Sequence, residues 1–433
     1  MDKSLNYFKV TPGVVETGKE TELVISATGF RYVFRDDVKY SVKVQPMTRN
    51  ERGMVGLEKF RIEDPEVRDG KLCFKWFFDK EEEYIIRIYI AEPREFIVQL
   101  SVYALDSDLY ALRPLKGDLH IHSCRLIGPH MGSQEIPAYT GAAYRQAGYD
   151  FMILTDHECY AGSQELQESY KDVDLGINLM NGEEIHAPEN FLHFNNLGGK
   201  WSVNTLFHEN EEQYYKEVQE IMDTEEIPYE EDKFLYASCL WIARKTQEAG
   251  GLAMLNHPHW LAGVYSMPDK LTKLLLQNKV FDVYEVTGAG GRHCNNMKAA
   301  FYYQMMKEGL ELPPMVSVSD SHGTTGNGFK NNYTIVFADK NDREGVLDAI
   351  KNNRVAAIET FKDGVYNVLG DYRYVSFARF LIEWYFPYFA IITREEGKLM
   401  HEYTNTGSEE AKAKLNARAK DTENLYKKIY GKN

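Results

Sequence analysis

Eleven of the twelve histidines fall between His120 and His322, and most follow short apolar runs where a parallel strand would end. They arrive in company: Asp118-Leu119-His120-Ile121-His122, Thr155-Asp156-His157, His193, His257-Pro258-His259 and Asp320-Ser321-His322. Histidines scattered for packing do not gather in this way. Neutral imidazole is the commonest protein ligand for catalytic divalent metals, so the pattern demands a fold that brings several strand ends to one rim. It points to a multi-metal site with hydrolytic chemistry.

The rhythm of the chain supplies such a fold. Up to about Leu112 the sequence alternates. Tyr40, Val42 and Val44 interleave with Ser41, Lys43 and Gln45, and Leu72, Phe74, Trp76 and Phe78 follow the same period. Period-two patterning marks half-buried strands, and an immunoglobulin-like β-sandwich is expected over residues 1–113. From Gly117 the grammar changes to helices alternating with largely apolar strands: Phe151–Leu154, Leu252–Leu255, Val283–Val286 and Met315–Val318. That alternation indicates a parallel sheet, and a (β/α) barrel sets its polar ligands at the C-terminal ends of such strands. A barrel is expected over 114–365. A helical, aromatic extension is expected over 366–433, packing on the barrel or offering a homo-oligomer contact.

With 433 residues and a formal charge of −15, the chain repels polyanions, which argues against a nucleic-acid partner. A small anionic substrate remains compatible, because bound cations dominate a local field. The five cysteines form no close sequence pair, and the chain opens without a basic, apolar leader. The expected setting is therefore the cytoplasm. The most apolar window, 375–392, carries Arg379, Glu383 and Pro387; no membrane partner is expected. The acidic stretch 209–232 reads as a solvated insertion in preference to a lid.

His120 and His122 lie two apart on a strand, so they share a face and can reach one ion. Asp118 shares that face, as a ligand orienter or catalytic carboxylate. Two cations about 3.5–4 Å apart can share a hydroxide and neutralise charge developing on substrate oxygens. No Gly-x-Ser-x-Gly elbow occurs, which leaves water as the nucleophile. His259 is a candidate general acid. Arg292, in Thr287-Gly-Ala-Gly-Gly-Arg292, is a candidate anion clamp.

Gly117-Asp-Leu-His-Ile-His-Ser123, Leu154-Thr-Asp-His157, Gly182-Glu-Glu184, Asn256-His-Pro258 and Ser319-Asp-Ser-His322 together resemble the successive motifs of the PHP (polymerase and histidinol phosphatase) family of metal-dependent phosphoesterases. Glu183-Glu184-Ile185 with His193-Phe-Asn-Asn-Leu-Gly198 looks closest to its carbaryl-hydrolase-like branch. The resemblance covers about residues 116–360 and implies an α/β fold, a distorted (β/α)7 barrel, with two or three divalent ions (Mn, Zn or Fe). By similarity, His120, His122, Glu184 and Asp320 would hold the first ion. Glu184 would bridge to a second ion at His193 and His257, and His157, His322 and His130 would hold a third. Relatives carry an aspartate near His130, where this chain has Cys124-Arg-Leu-Ile-Gly-Pro-His130. Glu183 and His186 are rivals for the bridging and second-ion roles.

The function so implied is hydrolysis of a small phosphate ester. Carboxylic ester, carbamate or amide hydrolysis on the same metals is the alternative, and a non-catalytic binding protein is a third reading.

Overall fold

The alternating stretches of the N-terminal part are strands in a computed structural model that describes residues 7–28, 32–48, 61–63, 65–91, 95–127, 132–261, 263–288, 290–326, 328–361 and 364–432. In chain order they are β1 (Phe8–Thr11), β2 (Val14–Glu16), β3 (Lys19–Ala27), β4 (Tyr40–Pro46), β5 (Arg61–Glu63), β6 (Glu66–Arg68), β7 (Lys71–Phe78), β8 (Glu82–Ile90) and β9 (Glu95–Leu105). They form two sheets, in the orders β1-β3-β7-β6 and β2-β9-β8-β4-β5. Val42 and Val44 lie opposite Ile88 and Ile86, and Ile86 opposite Leu100, so aliphatic side chains dominate one face of the second sheet. That face shares a core with Leu23, Ile25, Leu72 and Phe74 of the first. Burying each such side chain stabilises by about 1.5–3 kcal/mol, enough to hold a two-sheet sandwich.

The chain divides into two compact units. The first joins residues 1–113 to 375–392 and 420–433, and the second comprises 114–374 and 393–419. The extension expected as one separate piece from residue 366 is thus split. Within the first unit Phe377 and Phe380 meet the Tyr103 ring at 4.9 and 5.4 Å. The Gly13 amide donates to the Ile429 carbonyl at 2.8 Å, and the Tyr110 hydroxyl donates to the Tyr430 carbonyl.

Among the described residues no single helix is long and apolar enough to cross a membrane. Tyr372–Trp384 and Phe386–Thr406 reach that apolar length only jointly, across a 61° bend. Phe377, Phe380, Leu381, Tyr385 and Phe389 on this pair are buried in the protein.

The second unit contains β10 (Arg113–Asp118), β11 (Phe151–Ile153), β12 (Asn178–Met180), β13 (Gly182–Ile185), β14 (Phe194–Leu197), β15 (Leu252–Leu255), β16 (Val283–Thr287), β17 (Met315–Ser317), β18 (Asn332–Ala338), β19 (Val355–Thr360) and β20 (Tyr366–Leu369). The single closed barrel expected here is not what forms. There are two sheets, β12-β11-β10-β18-β19-β20 and β13-β14-β15-β16-β17. Between them the described residues make isolated parallel bridges, Ile121 to Ser321 and His157 to Glu184. The reason is local. A parallel pair needs a crossover of a dozen or more residues, and helices at 137–146, 161–168, 269–277 and 291–307 supply it for the parallel pairs. The eight residues joining β13 to β14 contain no helix, so β14 runs back antiparallel between β13 and β15. β18, β19 and β20 likewise pair antiparallel.

The acidic stretch folds as a helix, Glu211–Thr224, whose Asn210 cap accepts from the Gln213 amide and whose Tyr214, Val218 and Ile221 are buried. None of its residues lines the central cavity of the unit.

A buried ion pair fastens the unit elsewhere: Arg145 and Glu396 are both fully buried, with Nη2 to Oε2 at 2.6 Å. Glu396→Ala strands the guanidinium without a counter-charge and is expected to destabilise by about 3–5 kcal/mol. A denaturant midpoint equal to that of the parent protein would refute this.

Candidate metal centre

Each sequence motif ends a strand of the second unit on the same rim. His120 and His122 follow β10, His157 follows β11, His257 follows β15, and Asp320 and His322 follow β17. His193 precedes β14. Because β14 is antiparallel, with Phe194 paired to both Ile185 and Leu255, its beginning lies beside its neighbours' ends. The left-handed backbone of Asp320 (φ 48°) and the positive φ of His257 (26°) are strained conformations in non-glycine residues. Such strain persists where surrounding structure over-determines it, and it clusters at ligand clamps.

Glu184 is the hub. Its Oε1 lies 3.1 Å from His193 Nδ1 and 3.5 Å from both His257 Nε2 and His120 Nε2. Its Oε2 lies 2.6 Å from His157 Nδ1, 3.4 Å from His186 Nε2 and 3.7 Å from His122 Nε2. Asp320 Oδ1 completes the inner wall, 2.9 Å from His122 Nε2 and 3.3 Å from His120 Nε2. His157 Nε2 and His322 Nε2 face each other at 3.2 Å. Four donor triads have all their ligand atoms within 4.8 Å of one another: His122/His157/His322, His120/His122/Glu184, His157/Glu184/His186 and Glu184/His193/His257.

The donors suit borderline divalent ions. Both His120 ring nitrogens and Glu184 Oε2 are buried without a hydrogen-bond partner, an expensive state that a cation would relieve. Burial pushes His122 down to about 3 and His186 to about 4, so both imidazoles are neutral and keep a lone pair for an ion. Burial opposes ionisation of Glu184, yet the imidazoles of His120 and His193 hold its carboxyl well below the usual range. At about 100 times the dissociation constant a single bound ion contributes about 2.7 kcal/mol. Manganese or zinc loading is therefore expected to raise the melting midpoint by roughly 3–5 °C per ion bound, reversibly on chelation. An unchanged midpoint would refute the ligand set.

Of the rival neighbours, Glu183 points to the opposite face. Its oxygens accept from Asn196 Nδ2 (3.1 Å), Ser202 Oγ (2.6 Å) and Asn204 Nδ2 (2.8 Å). His186, two residues past Glu184, shares the inner face and stands with the ligands. His130 lies outside the described residues.

Asp118 does not meet the cavity. It accepts from the backbone amides of Ser319 (3.0 Å) and His120 (3.3 Å) and from the Tyr144 hydroxyl (3.2 Å), tying two ligand-bearing segments together. Burial pushes its carboxyl up to about 6. His259 Nε2 turns to Asp269 at 3.2 Å, on the following helix. Arg292 lines the cavity, its guanidinium 4.3 Å over the Phe361 ring.

The sequence marks Glu285, at a strand end, as a support behind the ligands, but not its buried partner Lys298. Glu285 accepts from the His257 amide at 3.0 Å and lies 3.8 Å from His120 Nδ1. Its other oxygen pairs with Lys298 at 2.7 Å, both side chains fully buried. Lys298 sits in the helix Gly291–Lys307, where only its burial separates it from an ordinary solvent-facing lysine.

The cavity in front of the centre holds about 1020 Å³. His157, Glu184, His193, His257, Asp320 and His322 form its floor. Trp260, Phe329, Phe361 and Arg292 line its wall, together with glycines 288, 290 and 291.

No family model matches the chain, and no curated protein matches it. Among solved structures it is similar to a two-domain protein from Bacteroides vulgatus containing a predicted PHP-like metal-dependent phosphoesterase (21% identity, TM-score 0.38, 57% of this chain and 65% of that one). This chain thus spans just under two thirds of that protein. It is also similar to a protein from Bifidobacterium adolescentis described as a metal-dependent phosphoesterase (15%, TM-score 0.35, 49% and 89%). A third is an amidohydrolase from Chromobacterium violaceum (16%, TM-score 0.31, 48% and 87%). Likeness of this degree fixes neither family nor activity, and the chemistry of the centre rests on its own residues.

Proposed function

We propose that the chain is a metal-dependent hydrolase of PHP type, a phosphoesterase acting on a small anionic substrate. The observation that carries this reading is Glu184, whose two oxygens face different sets of imidazoles: His120, His193 and His257 on one side, His122, His157 and His186 on the other. A carboxylate so divided is built to bridge two cations. Divalent ions there would supply Lewis acidity toward a substrate oxygen and a water acidified enough to attack near neutral pH.

The rest of the chemistry belongs to the chain's own residues. Asp320 and Glu184 supply the anionic charge that keeps the imidazoles together, Asp118 and Glu285 orient the segments that carry them, and Arg292 can pair with an anionic group across the cavity. The three aromatic rings of the wall exclude water from the substrate's non-reacting part. The acidic composition and five unpaired cysteines favour a small metabolite in a reduced cytoplasm as the setting.

The aromatic wall also supports a second reading, hydrolysis of an aryl carboxylic ester or carbamate on the same centre. Release of p-nitrophenol from matched phosphomonoester, phosphodiester and carboxylic ester by manganese- or zinc-loaded protein separates the two. Turnover of phosphate esters, lost in His120→Ala/His122→Ala, supports the phosphoesterase; turnover of the carboxylic ester alone overturns it. Arg292→Ala is expected to raise KM for the phosphate ester about tenfold or more, a loss of roughly 1.4 kcal/mol or above, and to leave a neutral ester unaffected.

A further inference from the structure

We propose that the first unit carries a second binding site, a pocket between its β-sheet edge and its C-terminal segments that takes a small aromatic carboxylate. It rests on observations independent of the metal centre. The pocket holds about 140 Å³ and is walled by Phe8, Val10, Leu100, Phe380, Leu425 and Ile429. That is close to the ~150 Å³ at which an apolar cavity stays dry and accepts benzene. One aromatic ring fits, and an apolar occupant of that size stabilises itself by leaving water.

The polar atoms specify the rest of the ligand. Trp384 Nε1 and Thr28 Oγ1, on residues lining the pocket, are buried with no hydrogen-bond partner. A buried polar atom left unpaired is costly, and a ligand group brought against it relieves that cost. Indole N–H is a donor only, and the missing partner must be an acceptor. Lys9 and Lys428 also line the pocket, neither with an ion-pair partner among the described residues. Burial first, and then the nearby charges of Lys428 and Lys71, lower the basicity of Lys9. An anionic acceptor answers all four groups at once. A carboxylate is the smallest such group that a 140 Å³ pocket admits alongside a ring.

The test is calorimetric titration of the full-length protein with phenylacetate, using benzyl alcohol as the neutral counterpart. One saturable site per chain in the millimolar range or tighter is expected. Lys9→Met/Lys428→Met, which changes two side chains at the pocket mouth, should weaken phenylacetate at least tenfold and leave benzyl alcohol unchanged. Trp384→Phe keeps an aromatic ring, smaller than indole, and removes the donor, and should weaken phenylacetate several-fold. Binding that vanishes when divalent ions are chelated would locate the ligand at the metal centre and overturn the proposal. Failure of the wild type to saturate, or equal affinity in the lysine variant, would overturn it too. None of these outcomes depends on what the metal centre hydrolyses.

Discussion

Glu184→Ala is expected to lose bound metal and turnover together, the latter by about 10³-fold or more, or ~4 kcal/mol of transition-state stabilisation. Six histidines lie within 3.7 Å of this one carboxylate. Removing it leaves them without the anionic centre that keeps like-poled imidazoles facing one another. Glu184→Gln retains the shape but replaces one acceptor oxygen by a donor amide, and should fare nearly as badly. The sharp control is the adjacent Glu183→Ala. Its carboxylate serves Asn196, Ser202 and Asn204 on the far side of β13, so that variant should lose stability and keep its metal stoichiometry. Elemental analysis decides the matter. Full metal content in Glu184→Ala, or metal loss in both variants alike, would undo the assignment of the hub.

Lys298→Met carries the second large effect. Breaking a fully buried ion pair from one side costs about 3–5 kcal/mol, because the remaining charge has neither water nor partner. Here that charge is Glu285, which also receives the His257 amide, so the damage reaches the metal centre and should lower metal affinity. Adding Glu285→Leu should recover only part of the stability, since it leaves the His257 amide unpaired. Burial pulls the Glu285 carboxyl upward, but Lys298 and the neighbouring imidazoles outweigh it and hold it at about 2. A depressed carboxyl contributes stability that is complete above its unfolded value and drains away as pH falls toward 2. The parent protein should therefore lose this contribution below about pH 4.5, and Lys298→Met should show a weaker dependence over that interval. Identical acid titrations of stability in the two proteins would count against it.

The centre was largely legible because strand periodicity carries it. His120 with His122, and Glu184 with His186, lie two positions apart, and period two also turns Glu183 away. The barrel's closure was not legible. A fully buried strand reads the same whether it runs parallel or antiparallel, and only the helix-free connection between Ile185 and Phe194 betrays β14's reversal. β14 even carries buried Asn195, whose side-chain amide donates to the Leu119 carbonyl at 3.1 Å, a polar tie that hydrophobic patterning cannot foresee. The aromatic helices after residue 372 announced that they bury a face but not against what. Amphipathicity names a surface, never its partner.

The division of the first unit bears on how the chain is made. Tyr110 and the residue that accepts its hydroxyl proton, Tyr430, are 320 positions apart, and the Gly13 amide likewise waits for Ile429. During synthesis at about 5–20 residues per second, the sandwich emerges first but stands open for some tens of seconds, until its last segments leave the ribosome. The metal-bearing unit, begun later, has nearly all of its strands before then. The part translated first is therefore completed last: its core closes on residues 8–104, but the face that Phe377 and Phe380 cover at Tyr103 stays bare in the interval, and that is where chaperones would find this chain.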